Sequence, residues 1–221
     1  SRTGDNPNLE GTGASEPFLM RWRTLGAGLR TSDFENTVTQ YMGGAKGPIG
    51  DKWSWEAHFS AGRTKITEVQ GGNIDTNRLL NTLAAADGGA SLCAGGVNPF
   101  GRQPLSAECV SYLTTTSNVN TTFTQRIAQA FVSGDLVQLP AGTLTTVLGG
   151  EFRKFDYTFD PGTASGPISG FNAQSPAGGT NEFKDLFGEL AVPLLRNQAF
   201  AKSLDLSLAY RHSRSESKDK I

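Results

Sequence analysis

The chain has 221 residues, a formal net charge of -1 and two cysteines. Hydrophobic residues make up 37% and charged residues 19%, below the roughly 45–50% and 25% of ordinary soluble domains, while 27 glycines are well above the usual share. This composition argues against a helical bundle, the near-zero charge argues against a nucleic-acid partner, and 13 Phe, 4 Tyr and 3 Trp argue against full disorder.

Seven extended segments are predicted in chain order: Phe18–Leu25, Thr37–Ala45, Trp53–Thr67, Thr122–Leu139, Leu144–Phe159, Phe183–Leu195 and Leu204–Ser213. The connectors Lys46–Asp51, Leu139–Gly142 and Arg196–Lys202 are short; Gly26–Glu35, Gln70–Asn120 and Asp160–Thr180 are longer, and the two kinds alternate. In an up-and-down antiparallel sheet this gathers the short turns at one end and the long loops at the other, as in an outer-membrane barrel. A soluble sandwich usually has less regular connections. No apolar run reaches the roughly 18 residues of a transmembrane helix, but a barrel needs none. No export signal is visible, and one is expected to lie outside the sequence, which starts Ser1-Arg2-Thr3.

Polarity alternates with period two on three segments. Trp53, Trp55, Ala57, Phe59 and Ala61 oppose Ser54, Glu56, His58 and Ser60; Leu144, Leu148 and Phe152 oppose Glu151 and Arg153; Leu204, Leu206, Leu208 and Tyr210 oppose Asp205, Ser207 and Arg211. Leu186, Gly188, Leu190, Val192 and Leu194 form one face of the sixth segment, while the first, second and fourth are ambiguous in phase. Such alternation means a sheet wet on one side, whose apolar face meets either lipid or a second sheet. In a barrel, Trp53 and Trp55 near a short turn and Tyr157 and Tyr210 toward the long loops are expected to form interfacial aromatic belts. The apolar set Trp53, Trp55, Phe59, Leu144, Leu148, Leu204, Leu206 and Leu208 is then expected to face outward, and Glu56, His58, Glu151, Arg153, Asp205 and Arg211 inward, because one assignment fixes a whole strand.

The long connection Gln70–Asn120 contains two predicted short helices. One is capped within Asp75-Thr76-Asn77, runs through Leu80, Leu83 and Ala84 and is ended by Gly88-Gly89; the other is capped at Ser106 and carries Cys109, Val110 and Leu113. Cys93 and Cys109 lie in this loop with no cysteine elsewhere, which fits an oxidising compartment and a local disulfide. Two free thiols are the alternative, and two Cys without a nearby His make a poor zinc site.

Several stretches resemble the TonB-dependent outer-membrane receptor family. CAGGVNPFGRQPLSAECVSY (93–112) resembles its Asn-Pro-Phe-Gly loop, and SGDLVQLPAGTLTTVLGGEFRKFDYTFDPG (133–162) resembles a strand end, a Leu-Pro-Ala-Gly turn and the strand that follows. GPIGDKWSWEAHFSAGRT (47–64), GFNAQSP (170–176), FGELAVPLL (187–195) and LDLSLAYRHS (204–213) extend the similarity, in order, over most of residues 36–213. The strand reads Gly149-Gly150-Glu151-Phe152-Arg153, a slight departure from the family's Gly-x-Glu-Tyr/Phe-Arg.

The resemblance implies an all-β fold, an antiparallel up-and-down transmembrane β-barrel fragment of about seven strands with long extracellular loops. Residues 1–221 are then expected to be a partial barrel domain lacking the plug and the other strands of a 22-stranded barrel. The implied function is active uptake of a scarce nutrient, such as a siderophore, cobalamin or an oligosaccharide, across the cell outer membrane. The implied partners are outer-membrane lipid, the remainder of the receptor, the TonB complex through the absent plug region and a small-molecule ligand, with no nucleic acid. Glu151 and Arg153 read as lumen-wall residues, with Glu56 and His58 on the same kind of wet face. Asn98, Phe100 and Phe171 lie in long loops, where they are placed to touch ligand or to stabilise the loop. No cofactor, metal site or catalytic group is expected: Glu56 and His58 are neighbours on a strand, and His212 lies on another. Two other classes remain open, a cell-surface β-sandwich adhesin or binding protein and a small complete barrel acting as an enzyme or porin.

Overall fold

The computed structural model describes residues 22–100, 104–169 and 174–219. They form strands β1 (Thr31–Ile49), β2 (Trp53–Asp75), β3 (Thr114–Leu139), β4 (Gly142–Asp160), β5 (Ile168–Ser169), β6 (Ala177–Gln198) and β7 (Ala201–Asp219), with helices α1 (Thr76–Ala84) and α2 (Ala107–Leu113) between β2 and β3. All pairings are antiparallel, in the linear order β1-β2-β3-β4-β6-β7, and β5 adds two residues beside the end of β2. Chain neighbours are therefore sheet neighbours, apart from the short β5, and the short turns all fall at one end. β1 and β7 stand at the two ends of that order.

The short turns follow local chemistry. Gly50 (φ 62°) lies between β1 and β2, Pro140 precedes the β3–β4 reversal, and Asn197 (φ 54°), a residue type tolerant of the left-handed region, precedes the β6–β7 reversal. The helices begin as their caps dictate: the Asp75 carboxylate accepts from the Arg78 N–H at 3.0 Å, and the Ser106 hydroxyl accepts from the Cys109 N–H at 3.1 Å.

The predicted first strand, Phe18–Leu25, is corrected over its described part. Trp22–Thr24 are irregular and Leu25–Ala27 form a single 3-10 turn, because Gly28 (φ 89°) redirects the chain and Ala27 is held in a small core. Residues 18–21 lie outside the described residues. The first long strand instead begins at Thr31, inside a stretch expected to be a loop. β2, β3, β6 and β7 likewise run beyond their predicted ends, to lengths of 19–26 residues, and the two-residue β5 falls within the expected loop Asp160–Thr180.

Burial is inverted relative to a soluble domain. Among the described residues eight hydrophobic side chains are buried, whereas 27 large hydrophobics are exposed; soluble proteins rarely leave such apolar surface contiguous. The hydrophobic cluster, Ala27, Ile74, Val97 and Leu113 with Trp22, Leu79, Leu105 and Tyr112 against it, sits at the long-loop end. No second sheet covers either face among the described residues.

Packing along the sheet is tight where aromatics cross glycines. A Cβ on Gly134 would lie 2.4 Å from Trp53 Cδ2, so the Trp53 ring occupies the space above this glycine. Gly134→Val is expected to displace the indole and lower unfolding stability by about 1–3 kcal/mol. Trp fluorescence and denaturant unfolding measure both effects.

Candidate functional site

Directly paired residues point to the same side of a sheet, so the register sorts every strand residue. One face contains Trp53, Trp55, Ala57, Phe59 and Ala61 on β2, Val132, Ala130 and Ala128 on β3, and Leu148, Gly150 and Phe152 on β4. It continues through Leu190, Gly188 and Leu186 on β6 and Leu206, Leu208 and Tyr210 on β7. Leu144 and Leu204 join it beyond the bulges at Asp135/Val137 and Pro193/Leu195. All eight residues expected to share the apolar face do so. Phe59 is 50%, Leu148 52% and Leu206 42% exposed, with nothing packed over them.

The other face is polar and aromatic. One row crosses it as Gly44–His58–Gln129–Glu151–Asp185–Ser213. Glu56 lies one row toward the turns, opposite Lys46 and Phe131; Asp205 and Arg211 are also on this face. The structure thus brings Glu56, His58, Glu151 and Arg153 onto one surface, while His212 projects from the opposite side. Phe131, Phe155, Phe183 and Phe187 on this face are half-buried.

Tyr157 corrects one expectation. It pairs with Phe123 and Gly179 and so belongs to the polar face, leaving Tyr210, not both tyrosines, at the long-loop border of the apolar face. The reason is parity: residue 157 is an even number of positions from Glu151 and an odd number from Leu148.

Four charges interlock at the centre of the polar face. Arg153 Nη2 donates to Asp185 Oδ2 at 2.8 Å and its Nε lies 2.8 Å from Glu151 Oε1; Arg211 Nη2 donates to Glu151 Oε1 at 2.8 Å and also pairs with Asp185. Arg153 lies over the Phe183 ring at 5.0 Å and Arg211 over Phe187 at 5.9 Å. Two acids in one row, with an arginine on either side, cancel in charge and tie β4, β6 and β7 together. Phe155 stacks on Phe123 at 5.9 Å and meets Phe183 edge-on at 6.1 Å, forming an aromatic stair beside the charges. Asp185, with its side chain fully buried, was missed in the sequence, although its alternation with Phe183 and Phe187 was a usable signal.

The long connection is closed covalently. Cys93 and Cys109 form the expected disulfide, with Cα atoms 4.9 Å apart and both residues buried. Arg78 adds a second tie, donating to the Tyr112 carbonyl at 2.9 Å while its guanidinium lies 5.7 Å from the Tyr112 ring centroid. Asn98 accepts from the Phe100 N–H at 3.1 Å, a local turn, and Phe100 is exposed. Phe171 lies outside the described residues. Among the described residues no group of three or more His, Cys, Asp or Glu is placed to hold a metal.

A shallow trough of about 940 Å³ crosses the apolar face above Ala45, Ala57, Ala130 and Gly150, bordered by Phe59 and Phe152. Lys184, His212 and Arg214 stand on the same face along its border. No family model matches the chain, and no curated protein matches it.

Three outcomes are expected. Arg211→Leu leaves the buried Asp185 carboxylate with Arg153 alone and is expected to cost about 1–3 kcal/mol, read from denaturant unfolding against the wild type. Reducing Cys93–Cys109 removes roughly 3 kcal/mol in the chain-entropy model and is expected to speed proteolysis between α1 and α2 more than within the sheet. In the same loop, Asp87 accepts from the Gly89 and Ser91 N–H groups at 3.0 and 2.8 Å, and bonding to Ser91 holds its carboxyl below the ordinary 3.8. The stabilisation is therefore fully present above the ordinary value and is lost as pH falls through the lowered one. Protection of the Ser91 amide against hydrogen exchange, relative to an unstructured amide at the same pH, is expected to fall in strong acid, and Asp87→Asn to remove that pH dependence.

Proposed function

We propose that the chain is part of the wall of an antiparallel barrel that crosses the outer membrane, of the TonB-dependent receptor type. It serves active uptake of a scarce nutrient such as an iron–siderophore, cobalamin or an oligosaccharide. The observation that carries this reading is the shape of the uncovered apolar face. On β2 it runs from Trp53 to Ala61, on β4 from Leu144 to Phe152, and on β7 from Leu204 to His212, five alternate positions each time. Eight residue steps cover about 26 Å of strand, or about 22 Å of height at a tilt of about 35°, near the roughly 25 Å apolar band of such barrels. Thr146 is a polar member of the band, and its hydroxyl is satisfied by the Glu189 carbonyl at 2.8 Å.

The band is also slanted. Relative to the register its two borders both step by two residues between β2 and β4 and by four between β2 and β7. Its width therefore stays constant while it crosses the strands obliquely, as a flat slab crossing tilted strands requires. In this reading the polar face, with its neutral charge cluster and aromatic stair, turns toward the lumen, where plug and ligand belong. The outer edges of β1 and β7 take their partners from the remainder of the barrel, because open strand edges do not persist in lipid. Energy comes from the TonB complex acting through the plug, and the wall carries out no bond chemistry.

Adjacent residues of opposite parity test this directly. Leu148 is at the midpoint of the band on β4, and Val147 is on the polar face. In bilayer-refolded protein, Leu148→Arg is expected to cost about 2–4 kcal/mol and Val147→Arg far less. Fractionation should recover the native protein with membranes, extractable only by detergent. Recovery in the soluble fraction, or equal tolerance of both substitutions, overturns the reading.

A further inference from the structure

A register shift at the long-loop end of β2 re-aims one side chain. Gln70 lies opposite Ser117 and Asn73 opposite Thr115, so Gly71 and Gly72 of β2 share the single position of Thr116 on β3. On a regular strand, residues three apart point to opposite sides. The extra residue cancels that, and Gln70, Asn73 and Ser117 all belong to the polar side. Gly72 adopts φ 72°, and a Cβ there would collide with the Leu29 carbonyl, so the bulge depends on glycine. Ile74, next along, points away and joins the hydrophobic cluster. Gln70 is 1% exposed, and Asn73 and Ser117 are fully buried. Yet Gln70 Oε1, Asn73 Oδ1, Asn73 Nδ2 and Ser117 Oγ have no hydrogen-bond partner, four of the seven such side-chain atoms among the described residues. Segments distant in sequence close in around them. The Thr163 hydroxyl donates to the Thr116 carbonyl at 3.4 Å, and β5 pairs with Ile74 and Asp75.

We propose that the bulge builds an internal hydration site, in which one or two ordered waters bond to Gln70, Asn73 and Ser117 beneath the long connections. The inference does not rest on the membrane reading. A buried polar atom without a partner costs free energy, and four in one place call for a shared guest. The chemistry of the set selects that guest. Whichever way its amide is turned, Asn73 presents one donor group and one acceptor. A metal ion would meet the three oxygens but face the Asn73 amide hydrogens; an anion would face Gln70 Oε1. The carboxylate on the same side, Glu68, is already engaged: it accepts from Gln70 Nε2 at 3.0 Å and pairs with Ser32. The site therefore offers a cation no free negative charge. Water donates twice and accepts twice, and a buried water typically makes about three bonds. Such waters join β2 to β3 at a break in the regular pairing. They do so next to Ile74 of the hydrophobic cluster and Asp75, which caps α1. The connections are thus fastened to the sheet by solvent as well as by apolar contact and the disulfide.

A crystal structure of the complete protein tests this. Density is expected about 2.7–3.2 Å from at least three of the four atoms, with no anomalous signal at a long wavelength where calcium and potassium both give one. Asn73→Leu with Ser117→Ala leaves Gln70 Oε1 as the one remaining partner of the four. A buried water needs two or more polar partners, so its density is expected to vanish in the double variant. A second measurement covers a double variant that does not fold. In isotope-labelled wild type, the Asn73 side-chain amide is expected to exchange magnetisation with water in spite of its burial. An empty site, a peak with anomalous signal, direct bonds among Gln70, Asn73 and Ser117, density that survives in the double variant, or an Asn73 amide silent to water overturns the proposal. Each of these results leaves the membrane reading untouched, since fractionation tests that separately.

Discussion

The cross-strand register is the constraint on which everything else here depends. Side chains alternate, so a slip of one residue on β4 would exchange Leu148 with Val147 and carry Glu151 and Arg153 to the apolar side. Nothing stacked on the sheet can enforce that register, because no second layer is present among the described residues. It is enforced within the sheet. Trp53 covers Gly134, which fixes β2 against β3. The phenylalanine stair fixes β3, β4 and β6, and the four-charge cluster fixes β4, β6 and β7. Of the three register shifts, those at Asp135/Val137 and Pro193/Leu195 lie next to short turns and that at Gln70/Asn73 lies at the long-loop end of β2, so each is absorbed at an end of the long run of pairs.

The charge cluster also shows how a buried carboxylate is tolerated on an open sheet. Asp185 has no side-chain exposure, yet Arg153 and Arg211 both reach it, and Glu151 balances the second arginine. Removing either arginine leaves a charge with too few partners, whereas the intact group is neutral and its ion pairs come from two neighbouring strands. Each guanidinium also rests against a phenylalanine, so the charges and the aromatic stair form one surface rather than two.

The legibility of the sequence varied with how cleanly the two faces differ. β2, β4 and β7 were readable because one face is apolar at most of five alternate positions, Thr146 and His212 apart, while the other carries Glu56, Glu151 or Arg211. β3 hid its phase: Ile127 and Phe131 lie on the polar face, Ala128, Ala130 and Val132 on the apolar one, and the bulge at Leu136 shifts the parity. Its polar face is apolar in part because the aromatic residues there pack with each other. The capping stretch Asp75–Asn77, the cap at Ser106 and the cysteine pair were legible because each rests on contacts within a few residues or on isolation in one loop. Leu25 misled because apolar content alone does not make a strand; Gly26 and Gly28 bracket a turn whose Ala27 is buried by Ile74 and Leu113, residues distant in sequence. Asp185 was passed over because its partners lie on two other strands, and only pairing brings them together.

The slant of the band joins the fold to its surroundings. A border that advances four residues over the four steps from β2 through β3, β4 and β6 to β7 moves one residue, about 3.3 Å, for each interstrand spacing of about 4.8 Å. A plane cutting the strands along that border makes them tilt by about 35° from its normal, at the lower edge of the 35–45° found where strands close into barrels. At that tilt 26 Å of strand spans about 22 Å of thickness. Beyond Arg63, Arg126 and Lys154 the strands continue, and both faces turn polar, with Thr64 and Lys65 on β2 and Thr121 and Thr122 on β3 on opposite sides. The period-two signal fades there, which is why the predicted segments stopped short of the observed strand ends. Only past that region, where the connections meet, does the chain bury Ile74, Val97 and Leu113 together and clamp them with a disulfide. Hydrophobic burial into a protein core thus occurs at the end of the sheet that is polar on both sides, and among the described residues it is absent along the band, where the apolar side chains stay uncovered.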